Sequence, residues 1–156
     1  MTVNIDITKE LKAVEKLIKS DINKEKTILG LYNYIFKSDG KKIRSRLNLI
    51  ASSSRKNSHR YKLASIIELL HTATLVHDDV VDNASTRRGA VSVNSLWSNA
   101  HGVLIGDYIY SKAFMLMVEI GKKDILAELA DATNDISQGE LIQLAVSYTH
   151  LRAHET

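Results

Sequence analysis

A chain of 156 residues can bury one respectable core, so a single domain or part of a larger one is expected, with the 44% hydrophobic and 25% charged content of an ordinary globular protein. The absence of cysteine excludes disulfides and thiolate metal sites, and the net charge of +3, with a pI near 9.0, suits anionic ligands but is too small to argue for nucleic acid. No proline is present, where average usage would give about eight, and glycines number only seven, which together predict long uninterrupted helices. The N-terminal stretch MTVNIDITKELKAVE is amphipathic and mixed in charge, without the basic start and apolar core of a signal peptide. No run approaches the roughly 18 apolar residues of a membrane span, so a cytoplasmic location is expected.

From Ile5 to about Lys19, residues Ile7, Leu11, Val14, Leu17 and Ile18 recur at helical spacing and predict an amphipathic helix. A second helix runs from about Lys24 to Lys37, with Ile28, Leu31, Tyr32, Ile35 and Phe36 inward, and Ser38-Asp39-Gly40 ends it. Lys41, Lys42, Arg44 and Arg46 then crowd the start of a third helix, which continues through Leu47, Leu49 and Ile50 to a polar link. Cations at a helix N-terminus oppose its dipole. An anion bound there would receive both free backbone N–H groups and the cationic heads, although a solvated basic turn would present the same residues. The later run from Arg55 to Lys62 reads as a solvated linker.

The chain is organised around the next helix, predicted from about Tyr61 to Asp82. From Leu69 to Val76 it is apolar on nearly every side, the mark of a buried helix. It ends in Asp78, Asp79 and Asp82, and the first and last of these share a helix face about 6 Å apart. Such charges repel one another and oppose the dipole, an arrangement more easily kept where cations sit. Mg2+ fits, because it takes one or two protein carboxylates and completes its shell with waters and phosphate oxygens. Arg87 and Arg88 follow, and arginine grips phosphate well. A solvated acidic helix end beside a basic turn is the plainer alternative, but a buried helix is an unusual place for such decoration. His71 lies two turns before Asp78 on the same face and is placed to meet the ligand, whereas His77 receives a structural role.

Beyond the arginines, Val91 to Ala100 carries Trp97 as a core or packing anchor. Gly106-Asp107 is expected to open a helix through Glu119, with Tyr108, Ile109, Ala113, Phe114, Leu116 and Met117 as core, and Gly121-Lys122-Lys123 to end it. A last helix begins near Asp124 and passes through Leu126, Leu129, Ala132, Ile136, Glu140 and Gln143. No strand pattern of any length and no internal repeat is visible, so the fold class is all-α.

Five stretches taken together, GKKIR (40–44), LLHTATLVHDDVVD (69–82), RRG (87–89), GDYIYSKAF (106–114) and QGELIQL (138–144), resemble the all-trans polyprenyl diphosphate synthases in order and spacing. The likeness reaches to about Ala145 and is greatest to the bacterial long-chain, octaprenyl-type synthases that make quinone side chains. It implies an isoprenoid-synthase-type helical bundle and a prenyltransferase. This enzyme would condense isopentenyl diphosphate with an allylic polyprenyl diphosphate by Mg2+-dependent ionisation, condensation and elimination. Asp78 and Asp82 would bind Mg2+ with Asp79 in support. Lys41, Arg44, His71 and Arg88 would hold the diphosphate of isopentenyl diphosphate, and Arg87 that of the allylic substrate. Asp39 stands where the family usually has glycine and Ser45 where it has proline, and neither change removes a charged ligand. Thr74, one turn before Asp78, and Ala73 beside it are small, which implies an open tunnel and a long product.

The resemblance further implies a homodimer at full length, and a second aspartate-rich motif and a lysine C-terminal to the matched part. Residues 1–145 are therefore expected to be the N-terminal part of the synthase domain, about half of a truncated bundle and inactive alone. Residues 146–156 break the helix pattern and are expected to be a non-native tail. Two rival functions fit less. An HD-type metal phosphohydrolase would use His71 and His77-Asp78 but leaves the cations without a role, and a non-catalytic subunit of a heteromeric synthase would lack the intact aspartate motif.

Overall fold

The computed structural model describes residues 6–37, 40–54 and 57–153, with side chains described as far as residue 146. It divides into a unit spanning residues 1–120 and a second spanning 121–156.

The first unit assembles from helices whose ends are closed by identifiable groups. Helix α1 (Ile7–Ile18) starts where Asp6 Oδ1 accepts the Lys9 N–H at 3.1 Å, and it buries Leu11, Val14 and Ile18 on one stripe. At its C-terminal end the Tyr32 hydroxyl donates to Ile18 O at 2.7 Å, and two residues further on the Lys112 ammonium donates to Ser20 O at 2.6 Å. Helix α2 (Lys26–Ile35) is capped by Glu25 and buries Leu31 and Tyr32. Helix α3 (Ile43–Ala51) has no side-chain cap; it follows Lys42, which sits in the left-handed region at φ 46°, and it buries Ser45 and Leu49. Helix α4 (His59–Val81) is the axis of the unit and buries Ala64, Ile66, Leu69, Ala73 and Val76. Helix α6 (Asn99–Ile120) packs along α4 more extensively than any other element, and α3 and α1 also pack on it.

Between α4 and α6 lie a small antiparallel hairpin, β1 (Thr86–Arg87) with β2 (Ala90–Val91), and the short helix α5 (Val93–Leu96). Arg88 and Gly89 at its tip both have positive φ, 51° and 79°, as a two-residue type I′ turn requires. The second unit is the helix α7 (Lys123–Ala153). The all-α class holds, and no described helix is long and apolar enough to cross a membrane.

Four expectations are corrected. The run from Arg55 to Lys62 is not a solvated linker at its C-terminal end. Arg60 is buried, its Nη1 and Nη2 donate to the Glu10 carboxylate at 2.6 and 3.0 Å, and Nη2 also donates to Leu49 O at 2.7 Å. The planar guanidinium fork thus ties α1, α3 and α4 together, while Lys62 pairs with Glu119 at 2.7 Å. Second, α6 begins at Asn99 rather than near Gly106, because the Ser98 hydroxyl accepts the His101 N–H at 3.3 Å and caps the helix there. Third, of the two roles expected for Trp97 the core one falls and the packing anchor stands: it is 39% exposed and its ring meets Tyr34 edge-on with centroids 5.2 Å apart. Fourth, α7 runs on through Ala153, into the stretch from residue 146 expected to break the helix pattern, and that stretch has neither proline nor glycine to interrupt its hydrogen bonding. Asp39, Arg55 and Lys56 lie outside the described residues.

Candidate functional site

Helix α4 has two distinct faces. Ile66, Leu69, Ala73 and Val76 form the buried one. Ile67, His71, Thr74, Asp78 and Asp82 recur every three or four residues on another, where the first four are half-buried and Asp82 is exposed. Ala73 therefore belongs to the core, and Thr74 to the face that leads to the carboxylates. The Thr74 hydroxyl donates back to His71 O at 2.9 Å, so the group left to line that face is apolar.

Asp78 and Asp82 share this face at the end of the helix. Burial pushes the Asp78 carboxyl above its ordinary pKa; Arg87 draws it down, and Asp82 and Asp79 push it up again. Asp79 is turned aside. One residue rotates the direction by about 100°, and Asp79 is buried with Oδ2 accepting from Arg87 Nε at 2.8 Å and its main-chain oxygen accepting from Asn94 Nδ2 at 3.1 Å. Its Oδ1 is buried with no hydrogen-bond partner. Of the three aspartates expected to hold a metal, the structure thus gathers two, and among the described residues no group of three metal-ligating side chains forms. Two carboxylates on one face, with the rest of the shell open, still match a hard cation that takes one or two protein ligands.

The cations converge from two separate segments. Arg88, held at positive φ by the hairpin tip, reaches back to Gly40, where a Cβ would stand 2.7 Å from its Nη1. His71 has its pKa lowered first by burial, then by Arg44, Arg88 and Arg87, with Glu68 opposing them. Arg44 on α3 and both hairpin arginines therefore lie in one electrostatic neighbourhood with a neutral imidazole. The basic cluster at α3 splits in two. Lys42 pairs with Glu15 and Arg46 Nε donates to Lys41 O at 2.9 Å, whereas the Lys41 and Arg44 side chains are exposed. One N–H offered to an anion is already taken, since Ser45 donates through both N and Oγ to Glu68 Oε1, at 3.3 and 3.0 Å.

Glu68 and Asn94 shape the site without having been singled out in the sequence. For Glu68 the signal was an acid three residues before His71 in an apolar run; for Asn94 there was none. His77 faces α6, where its Nε2 lies 3.1 Å from Val103 O, in keeping with a structural role, and among the described residues it joins no cluster of metal-ligating side chains.

The model of the polyprenyl synthetase family matches residues 6–155. Among curated proteins, the chain is 36% identical over 146 residues to octaprenyl diphosphate synthase of Escherichia coli and 34% identical to the geranyl-diphosphate-specific all-trans-nonaprenyl-diphosphate synthase of Rhodobacter capsulatus. In each case the match covers 91% of this chain and 45% of the relative. Among solved structures it is similar to the polyprenyl synthase of Caulobacter crescentus complexed with calcium and isoprenyl diphosphate. That likeness has a TM-score of 0.84 at 36% identity, over 88% of this chain and 43% of that one. The chain thus spans somewhat under half the length of the relatives it matches.

Proposed function

The chain belongs to the polyprenyl synthetase family, and on that premise we propose that it supplies the diphosphate-binding face of a long-chain all-trans polyprenyl diphosphate synthase acting on isopentenyl diphosphate and an allylic diphosphate. The observation that carries this reading is the arrangement along α4, where a carboxylate pair at Asp78 and Asp82 follows His71 and the cations around it. Mg2+ bound by Asp78 and Asp82 would neutralise the charge that grows on the leaving diphosphate. Arg87, braced by Asp79, adds a fixed positive charge beside that group. Lys41, Arg44, Arg88 and neutral His71 would hold the second diphosphate and set its isoprene unit against the allylic carbon, which converts a bimolecular attack into an oriented one. The apolar wall of α4 below Thr74 would exclude water from the carbocation.

Product length follows from the same face. The small side chain at Thr74 leaves room for a growing chain, which favours a long product of the quinone side-chain class. In the active synthase, Thr74→Phe is expected to shorten the product, and an unchanged product removes Thr74 from the tunnel. Assembly as a homodimer in the cytoplasm completes the reading; the exposed Leu104, Met115 and Val118 on α6 support the first part.

Thermal unfolding with added ligands tests this function. Mg2+ with geranyl diphosphate is expected to raise the unfolding midpoint of the chain, and Asp78→Asn to lose that shift. A shift produced instead by Mn2+ or Fe2+ with nucleotides would support the hydrolase reading.

A further inference from the structure

Glycine is a poor helix former, yet α6 carries two inside it, Gly102 and Gly106, both buried. Each meets a side chain from the last turns of α4. A Cβ at Gly102 would stand 2.6 Å from Val80 Cγ2, and one at Gly106 would overlap the His77 imidazole. The two glycines thus form a notch in α6 into which the end of α4 is pressed.

Within that notch His77 is held from several directions. Its Nε2 lies 3.1 Å from Val103 O and 3.3 Å from Asp107 Oδ1, and its ring stacks on Tyr110 with centroids 6.3 Å apart and planes within 10°. Both groups facing Nε2 are acceptors, which assigns the proton to that nitrogen. The turn that follows carries three aspartates; Asp79 is paired with Arg87, but Asp78 and Asp82 share a face, where the charge of Asp82 pushes the Asp78 carboxyl up, and both oppose the helix dipole. Without an external hold, such a helix end frays.

We propose that His77 is a positioning residue: keyed into α6 at Gly106, it fixes the rotation of the last turns of α4 and so aims Asp78 and Asp82 at one point. This rests on the reading of that carboxylate pair as the seat of a metal-borne diphosphate. His77 touches no substrate; it acts through the backbone that it shares with Asp78.

The test uses the 156-residue chain and three variants, His77→Ala, His77→Gln, whose amide can still donate to Val103 O, and Gly106→Ala. Two quantities are measured: Mg2+-dependent affinity for geranyl diphosphate by calorimetry, and amide hydrogen exchange without ligand. His77→Ala is expected to weaken binding about tenfold, as loss of a supporting contact behind metal ligands does. It should also speed exchange from Asp78 to Asp82 while α1 and α3 keep their rates. His77→Gln should stay near the parent in both measurements, and Gly106→Ala should behave like His77→Ala. Unchanged affinity in His77→Ala, or faster exchange in every helix alike, overturns the proposal. If the parent chain itself binds no geranyl diphosphate, the functional reading fails and exchange alone decides. Acceleration confined to Asp78–Asp82 and reversed by glutamine then upholds the lock, and unchanged exchange overturns it.

Discussion

Two residues on one face of α4 carry opposite kinds of pKa shift, and each makes a prediction. His71 is held below the ordinary histidine value by burial and by Arg44 and Arg88. The unfolded chain then binds the proton more readily, so this contribution to stability is full above about pH 6.5 and is lost as the pH falls through the lowered native value. An NMR titration is expected to show His71 titrating below the ordinary range, and inorganic pyrophosphate without metal should raise its pKa; a value unmoved by pyrophosphate removes His71 from the anion cradle. Asp78 behaves in the other sense. Its carboxyl is raised, so its contribution is present below the unfolded value near 3.8 and lost as the pH rises through the folded one. Asp78→Asn should therefore unfold at a higher temperature than the parent at pH 7 without metal, while Mg2+ should stabilise only the parent. A less stable Asp78→Asn contradicts this account. At this scale the spacing of Asp78, Asp82 and His71 made their common face legible. It could not show that Asp79 turns to Arg87 or that Lys42 turns to Glu15, because both partners lie on other elements.

The helices were legible wherever an apolar stripe persisted over several turns, as with Leu11, Val14 and Ile18 in α1. The hairpin was not, because two residues per strand are too few to show an alternating pattern, and only Gly89 after Arg88 hinted at a turn. The sequence places the start of α6 too late because Gly106 resembles a helix breaker; its missing Cβ makes room for His77 instead. The burial of Arg60 is not legible in the sequence, since a charge run is usually solvated, whereas here it packs against Glu10, with side-chain exposures of 8% and 16%. That distinction has a measurable size. An exposed ion pair contributes about 0–1 kcal/mol, but removing one partner of a buried pair costs about 3–5 kcal/mol. Arg60→Ala, which also leaves Leu49 O without this donor, is expected to lower stability to urea by about 3 kcal/mol. A loss within about 0.5 kcal/mol would place the pair among exposed ones.

For the molecule as a whole, α4 sets two chemistries in series along one face, a cluster of cations around His71 and a pair of carboxylates two turns further on. On the function proposed above, the first would hold a diphosphate by charge alone, and the second only through a divalent cation. The chain spans about 45% of the curated synthases it matches, and both of these clusters fall within its first unit. The two anion sites should therefore respond differently to metal. Calorimetric titration of isopentenyl diphosphate and of geranyl diphosphate, each with Mg2+ and with a chelator, separates them. Isopentenyl diphosphate is expected to bind under both conditions and to be weakened by Arg44→Ala, and geranyl diphosphate to bind only with Mg2+. Equal loss of both ligands in chelator, or binding of geranyl diphosphate without metal, would contradict a face divided into a cation-borne and a metal-borne site.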